Sequence, residues 1–531
     1  MAKQNKLYII VSTFVVLYLL LCSNAFAKEI IQVKHNMTIE EIIVKHRELT
    51  HTGFEKKTPE YEISPRLTAP YSAGKLKKSG LDDALNSLKM VRFLAGVPYE
   101  NVKLTDELND IAQHGAVLLA ATNQFTHSPG KPADMTVEFY KKGEQGCKEA
   151  NINAGRNSIS NAVIGFVFDA GQGNITNAGH RRWVLKPGGE NFGMGFVKGA
   201  QSYGGYRINM YVYDGKGPFD CEADSYVAWP NAGAFPLQYF ADSNNIFAPI
   251  TAPWSINLGE QYSVPSKKNA KIKLTRKSDG KEWIFDFQTP DLGKEEMTDD
   301  KLHFSVDNDG YGMGKALIFR PDIKSLGVIA DGESFNVEVS GIKYRDGSEA
   351  VLSYDINFFD LESEQKKYDE YMASLDVEVI LPPFAVTMNG VKIDNTNLEH
   401  PFIMYNNITY FPMTYFDSRF LGIGTNYTAE DGLSIFRLED AQHSYNGLTR
   451  QMPNEMSYPA LKSVGKIRVN EKEINNRTEE YPILFFRDIT YFPMTWKFCV
   501  DEFGWGYSFD FEKGLVINTV VDKAKISDGT K

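Results

Sequence analysis

Seven consecutive residues near the C-terminus occur twice. Ile408-Thr409-Tyr410-Phe411-Pro412-Met413-Thr414 returns 81 positions later as Ile489-Thr490-Tyr491-Phe492-Pro493-Met494-Thr495, and Asn389 and Pro401 return at the same spacing as Asn470 and Pro482. A repeat of this fidelity means that the last part of the chain is built from two copies of one supersecondary unit. Each copy opens with apolar/polar alternation around an asparagine (Val386-Thr387-Met388-Asn389-Gly390; Ile467-Arg468-Val469-Asn470) and is read as closing on an aromatic strand at 433–436 or 515–517. Alternation of period two is the pattern of a half-buried strand. The copies, 381–440 and 460–522, therefore read as two small β-rich modules.

The other end of the chain carries an address. Lys3 and Lys6 precede an apolar run at 7–22, and Ser23-Asn24-Ala25-Phe26-Ala27 supplies the small residues of a cleavage site, so 1–27 reads as a signal peptide. The competing reading, an uncleaved anchor, has a run shorter than the ~20 residues needed to span a bilayer. No later stretch is apolar for long enough, so the mature chain is expected without a transmembrane segment, secreted or associated with the cell envelope. With 57 Lys+Arg against 68 Asp+Glu the net charge is −11, which leaves no cationic face for a nucleic-acid backbone. Charged partners of such a surface are cationic or bridged by cations. Of four cysteines Cys22 leaves with the signal, so there is no disulfide framework. Cys147 and Cys221 share a domain and form one candidate disulfide, with free buried thiols as the alternative.

Between these ends the pattern changes twice. Residues 28–75 form a polar N-terminal extension with a short helix at 39–47. Within 76–225, apolar residues recur at helical spacing (Leu81, Ala84, Leu85, Leu88, Val91, Ala95) up to Gly96. A second helix starts at Thr105 as N-cap, with Asp106 and Glu107 in its first turn and Leu108, Ile111, Ala112 and Leu119 on its buried stripe. A third pattern spans 157–169, capped by Ser158 or Ser160, and 192–214 alternates glycines with aromatic and β-branched residues as antiparallel strands do. From 226 to 360, short strand-like runs between Gly, Asp and Ser turns predict a small β-sandwich. A charged linker at 361–380 follows. Helices followed by strands place the whole chain in a multidomain α+β class.

Two histidines sit where helices give way to loops: His127 in Phe125-Thr126-His127-Ser128 and His180 in Gly179-His180-Arg181-Arg182-Trp183. Binding groups concentrate at such places. An imidazole pair with a carboxylate, for which Asp169 is the nearest candidate, is the minimal set for a divalent metal such as Zn²⁺ or for acid–base work near neutral pH. Trp229 and Trp254 would suit a sugar-stacking platform or the join between two domains. Two further motifs are set aside: His46-Arg47-Glu48-Leu49-Thr50-His51 has the wrong spacing for a helical zinc motif, and Asp307-Asn308-Asp309-Gly310 lacks the acidic twelfth position of a calcium loop. There is no G-x-S-x-G elbow and no Walker loop.

The motifs Leu85-Asn86, Arg92-Phe93-Leu94-Ala95-Gly96, Leu108 with Ile111-Ala112-Gln113-His114-Gly115-Ala116, Phe125-Thr126-His127-Ser128, and Gly179-His180-Arg181 through Leu185, Pro187 and Gly193-Met194-Gly195 resemble the CAP superfamily in their order and spacing, over about residues 80–215. That superfamily comprises cysteine-rich secretory proteins, antigen 5 and plant pathogenesis-related proteins, with bacterial relatives. The resemblance implies an α-β-α sandwich whose cleft holds two histidines and two acidic residues that bind a divalent metal in some members. His127 and His180 match the histidine pair. The family's Gly-Glu-Asn, however, is Gly155-Arg156-Asn157 here, a fixed cation in place of an acceptor, and Asp169 stands near the second acidic position, one methylene shorter. Trp229-Pro230-Asn231-Ala232-Gly233 and Pro253-Trp254-Ser255 look like the extension that follows the domain in some bacterial members. The C-terminal copies, through Asn389-Gly390, Pro401, Ile408-Thr409-Tyr410-Phe411-Pro412 and Leu421-Gly422, resemble the copper amine oxidase N-terminal-like domain, an accessory module without the catalytic copper site.

The function these features predict is an exported bacterial CAP-domain protein, a non-catalytic ligand-binding module centred on His127, His180, Asp169, Arg156 and Asn157 and held at a cell-wall or envelope component by its C-terminal repeats. The rivals are a metal-dependent hydrolase or peptidase using His127, His180 and Asp169, and a carrier of lipid or sterol.

Overall fold

The computed structural model describes residues 30–50, 58–213, 223–241, 251–428, 431–438 and 444–519. The expected signal peptide and Cys221 lie outside them. The chain divides into two compact units, one ending at Gln365 and one beginning at Lys366.

In the first unit a four-stranded sheet runs in the order Lys103–Leu104, Asn191–Lys198, Tyr206–Tyr211, Ala150–Ala154. Helix Asp106–Thr122 lies flat on strand Asn191–Lys198, and glycines in the strand permit the approach: a Cβ on Gly195 would fall 2.3 Å from the Ala112 carbonyl oxygen. The helix starts as the sequence predicts, with Thr105 Oγ1 accepting from the Leu108 amide at 3.3 Å. Ser158, rather than Ser160, caps helix Ile159–Phe168. Helix Lys78–Leu94 packs against helix Ile159–Phe168, which touches strand Tyr206–Tyr211.

Helix Val137–Lys148 has no counterpart among the predicted elements. Glycine is unfavourable in a helix interior, yet Gly143 and Gly146 are both buried at the crossing with helix Asp106–Thr122, where a Cβ on Gly146 would sit 2.1 Å from the Ile111 carbonyl oxygen. The glycines serve a helix–helix contact, and Thr136 supplies the cap.

Two further sheets complete this unit. One has the order His303–Asp307, Ala316–Arg320, Trp254–Leu258, Tyr226–Trp229; the other has Glu282–Phe285, Lys271–Arg276, Ser334–Lys343, Glu349–Phe359, Gly233–Pro236. Aromatic rings join them. Trp254 of the first meets Phe335 and Phe358 of the second at centroid distances of 5.5 and 6.0 Å. Trp229 and Trp254 are each 1% exposed, which corrects the sugar-platform reading: both indoles are core. No helix among the described residues is long and apolar enough to cross a membrane.

In the second unit the repeats are not independent beads. Six strands close a barrel in the order Asp376–Ile380, Ile403–Tyr405, Ile408–Pro412, Ile489–Pro493, Leu484–Phe486, Ser457–Lys462, so each copy gives three consecutive strands to one interior and the copies join at two seams. The pairing is two-fold symmetric: Glu378 faces Pro459 and Phe411 faces Phe492, each residue opposite its own counterpart in the repeat. Outside the barrel the copies also complete each other, since strand Val386–Met388 pairs with Leu515 to Ile517 of the second copy, and Ile467–Val469 pairs with Leu433 to Ile435 of the first. Residues 376–380, which the sequence placed in the linker, are a barrel strand; only helix Leu361–Ala373 has the expected linker character.

The copies differ by one inserted residue. Between Thr414 and Gly422 the first copy folds helix Tyr415–Phe420. The second has one residue more before Gly504, and its equivalent turn is the π-helix Lys497–Glu502. A wider i→i+5 turn absorbs an extra residue without shifting the strands on either side.

Candidate functional site

Asp169 ends helix Ile159–Phe168 in the left-handed conformation, φ 46° and ψ 37°, a conformation that short Asp side chains tolerate better than most. That turn aims the carboxylate at the start of helix Gly179–Val184. Oδ1 accepts from His180 Nδ1 at 2.7 Å and Oδ2 from the Arg181 amide at 2.9 Å. The Asp169 side chain is 1% exposed and that of His180 21%. Burial disfavours the imidazolium, but the charge and hydrogen bond of Asp169 outweigh it, and the His180 pKa is raised above 6.5.

Arg181 is fully buried and donates to the carbonyls of Val167 and Phe168, the last turn of helix Ile159–Phe168, and to Ser255 Oγ at 2.9 Å. Burial lowers its pKa to about 10 despite Asp169, so it remains a cation at neutral pH. The next residue, Arg182, binds Asp307 Oδ1 at 2.9 Å and the carbonyls of Asn177, Asp309 and Met313. The Asp307-Asn308-Asp309-Gly310 segment thus docks an arginine. These two guanidinium groups tie the His180 helix to the first of the two further sheets.

His127 comes from the loop after helix Asp106–Thr122, and its Nδ1 donates to the Cys147 carbonyl oxygen at 2.8 Å. Both imidazoles therefore have Nδ1 committed, which leaves Nε2 of each to face an occupant. His127, Asn174 and His180 line both of two adjoining cavities, of about 610 and 630 Å³. The first lobe is completed by Asn151, Asn177, Trp183, Tyr213 and Tyr311. Asn151 Nδ2 donates to the His180 carbonyl oxygen at 3.1 Å, and Asn177 Nδ2 to Tyr311 Oη at 3.2 Å. The second lobe contains Arg156, Phe166 and Asp169. Arg156 lies against Gly165, and burial lowers its pKa to about 10.

The structure thus brings His127, His180, Asp169 and Arg156 to one cleft, whereas Asn157 is exposed and lines neither lobe. Sequence reasoning missed Trp183, Tyr213 and Tyr311. Trp183 was readable as the neighbour of His180-Arg181-Arg182. Tyr311 has no local signal, because it enters from a segment more than a hundred residues away.

A divalent metal does not fit these donors. Zn²⁺ takes three or four ligands, and among the described residues no group of three or more His, Cys, Asp and Glu side chains is gathered to hold one. Asp169, the nominated third ligand, spends both oxygens on His180 and Arg181, and Arg156 adds a cation to the same lobe. Cys147 is a free thiol, buried, with its pKa pushed up to about 12 by burial, so it is not a nucleophile near neutral pH.

Residues 83–213 match the family model described as "CAP: Cysteine-rich secretory protein family". This is the stretch that carries the cleft histidines. No curated protein matches the chain. No solved structure matches it either.

Proposed function

We propose that the chain is an exported CAP-domain binding protein, whose cleft holds a small ligand through the Nε2 atoms of His127 and His180. The observation that carries this reading is the commitment of both Nδ1 atoms, to Cys147 and Asp169, around a two-lobed cleft. Imidazoles held in place through Nδ1 are what a binding site needs to present Nε2 at a set position. The rival, a hydrolase, would use the Asp169–His180 pair as a general base. Its partner would be water or a lining hydroxyl: no Ser or Cys lines either lobe, and the hydroxyls among the described lining residues are those of Thr126, Tyr213 and Tyr311. Export rests on the N-terminal pattern Lys3 to Ala27. Retention at the envelope by the C-terminal unit rests on its likeness to an accessory surface module.

The test is a comparison of the wild type with the His127→Ala/His180→Ala variant. Soluble cell-wall fragments should perturb the two imidazole NMR signals saturably in the wild type, with no product formed and no retained affinity in the variant. Turnover of a peptide, ester or glycan substrate that vanishes in the variant would replace the binding reading with the hydrolase. Export is checked separately by sequencing the N-terminus of the mature protein, which should begin at Lys28.

A further inference from the structure

The approximate two-fold symmetry of the second unit makes each surface feature comparable with its counterpart in the other copy, and one pair does not match. A cavity of about 570 Å³ is lined by Tyr427, Leu433, Leu461, Val464, Gly465 and Phe485. It is an open apolar groove: Tyr427 is 72% exposed, Val464 58%, Leu461 43% and Phe485 39%. Lys462 and Lys466 also line it.

The same place in the other half is filled. Counting by the repeat, Gly465 corresponds to Phe384; beyond the inserted residue, Tyr427 corresponds to Phe509 and Leu433 to Leu515. Phe384 packs edge-on against Phe509 with centroids 5.0 Å apart. Phe384 of the first copy therefore plugs the groove that Phe509 and Leu515 of the second copy form. The second copy has glycine at that position and leaves Tyr427 of the first copy without the matching ring. A Cβ on Gly465 would meet nothing nearer than Ser463 Oγ at 4.0 Å, so the groove has room for a phenyl group.

A ring of that kind stands exposed on the same unit. Phe511, at the tip of the hairpin formed by strands Gly506–Asp510 and Gly514–Asn518, is 95% exposed, the highest value among the large apolar residues described. Asp510 and Glu512 flank it, so an aromatic knob between two carboxylates matches an aromatic-deficient groove lined by two lysines.

We propose that the chain self-associates through its C-terminal unit, with Phe511 of one copy seated in the Gly465 groove of a second copy. The occupant reproduces between molecules the contact that Phe384 of the first repeat makes with Phe509 of the second. Asp510 and Glu512 lie toward Lys462 and Lys466 of the receiving copy. Knob and groove are different surfaces, so the contact is head-to-tail unless two copies exchange knobs reciprocally about a two-fold axis. A contact of one ring and a few charges is small, so the association is weak and salt-sensitive.

Sedimentation velocity on the full chain tests this. At low ionic strength the wild type should sediment faster as concentration rises toward the millimolar range, and added salt should reverse the shift. Phe511→Ala and Gly465→Phe should each raise the dissociation constant about tenfold or more. The second variant builds the plug that the first repeat already has. Glu512→Lys and Lys466→Glu should each weaken association, and the two variants mixed together should associate through the swapped pair, a rescue that misfolding cannot produce. A wild type that stays monomeric throughout, association untouched by Phe511→Ala or Gly465→Phe, or no recovery in the charge-swapped mixture would each overturn the proposal.

Discussion

Replacing Asp169 by Asn keeps the volume of the side chain and removes the charge that holds His180. With the carboxylate gone, burial is left as the dominant influence on that imidazole, so the His180 pKa should fall from above 6.5 to below it. The sign of the stability change follows. A histidine whose folded pKa is raised contributes stability that is complete below its unfolded value of about 6.5 and fades as pH rises through the folded value. Asp169→Asn should therefore cost about 2–4 kcal/mol, and the difference from wild type should shrink as pH rises above 6.5. Titrating the imidazole by ¹⁵N NMR and repeating urea denaturation at several pH values measures both. A His180 pKa unmoved by Asp169→Asn would mean that the 2.7 Å contact carries no charge coupling. Arg181 extends the same logic. Lysine keeps the charge but has no planar fork to reach the Val167 and Phe168 carbonyls and Ser255 together. Arg181→Lys should lower stability by about 2 kcal/mol or more through the acceptors left buried and unmet.

At the scale of elements, one turn of the second copy carries a residue that the first copy does without. Asn389-Gly390 makes a two-residue hairpin turn at φ 49° and 78°, while the second copy places Asn470-Glu471 at 47° and 68°. A left-handed Glu costs about 1 kcal/mol that Gly does not. Glu471→Gly should raise the urea midpoint of the second unit by an amount equivalent to roughly 0.5–1 kcal/mol, and a lower midpoint would show that the Glu side chain makes compensating contacts. The same comparison shows what could be read in advance. Identical letters announced the repeat. The exchange of strands was not legible, because period-two alternation says which face of a strand is buried and nothing about whose strand lies beside it. The caps Thr105 and Ser158 were legible because capping is local. Helix Val137–Lys148 was not, since Gly143 and Gly146 serve a neighbouring helix and only the assembled fold reveals that use. The cleft divides in the same way: His127 and His180 stood out by residue type and loop position, whereas Asp169 changed role from metal ligand to positioning group once its two hydrogen bonds were seen, and Tyr311 was out of reach.

For the whole molecule, acid should act first on the first unit. Burial, with Arg47 adding to it, lowers the pKa of His46 to about 4, and burial against Asp291 and the backbone lowers that of His303. A histidine whose folded pKa is depressed contributes stability above its unfolded value of about 6.5 and loses it as pH falls toward the folded value. His46 lies in helix Ile39–Thr50 and accepts from Gln365 Nε2 at 2.7 Å, so protonation loosens the segment where the unit ends. The second unit answers a different question, whether half of a repeat pair can fold. Residues 366–438 alone would lose the partner of strand Ile408–Pro412 in the barrel and the partner of strand Val386–Met388 outside it. They would expose a row of unpaired backbone groups along each, together with Phe411 and Tyr410, which are now fully buried. A single copy should therefore be unfolded as a monomer, or recover the lost pairings by dimerising, with a second molecule standing where the other repeat stood. The 366–531 fragment should unfold in one cooperative transition. Circular dichroism and light scattering on the two fragments separate these outcomes. A folded monomer of 366–438 with a sharp denaturation midpoint would mean that each half of the barrel is a module in its own right, and that the pairings between copies add nothing to the stability of either.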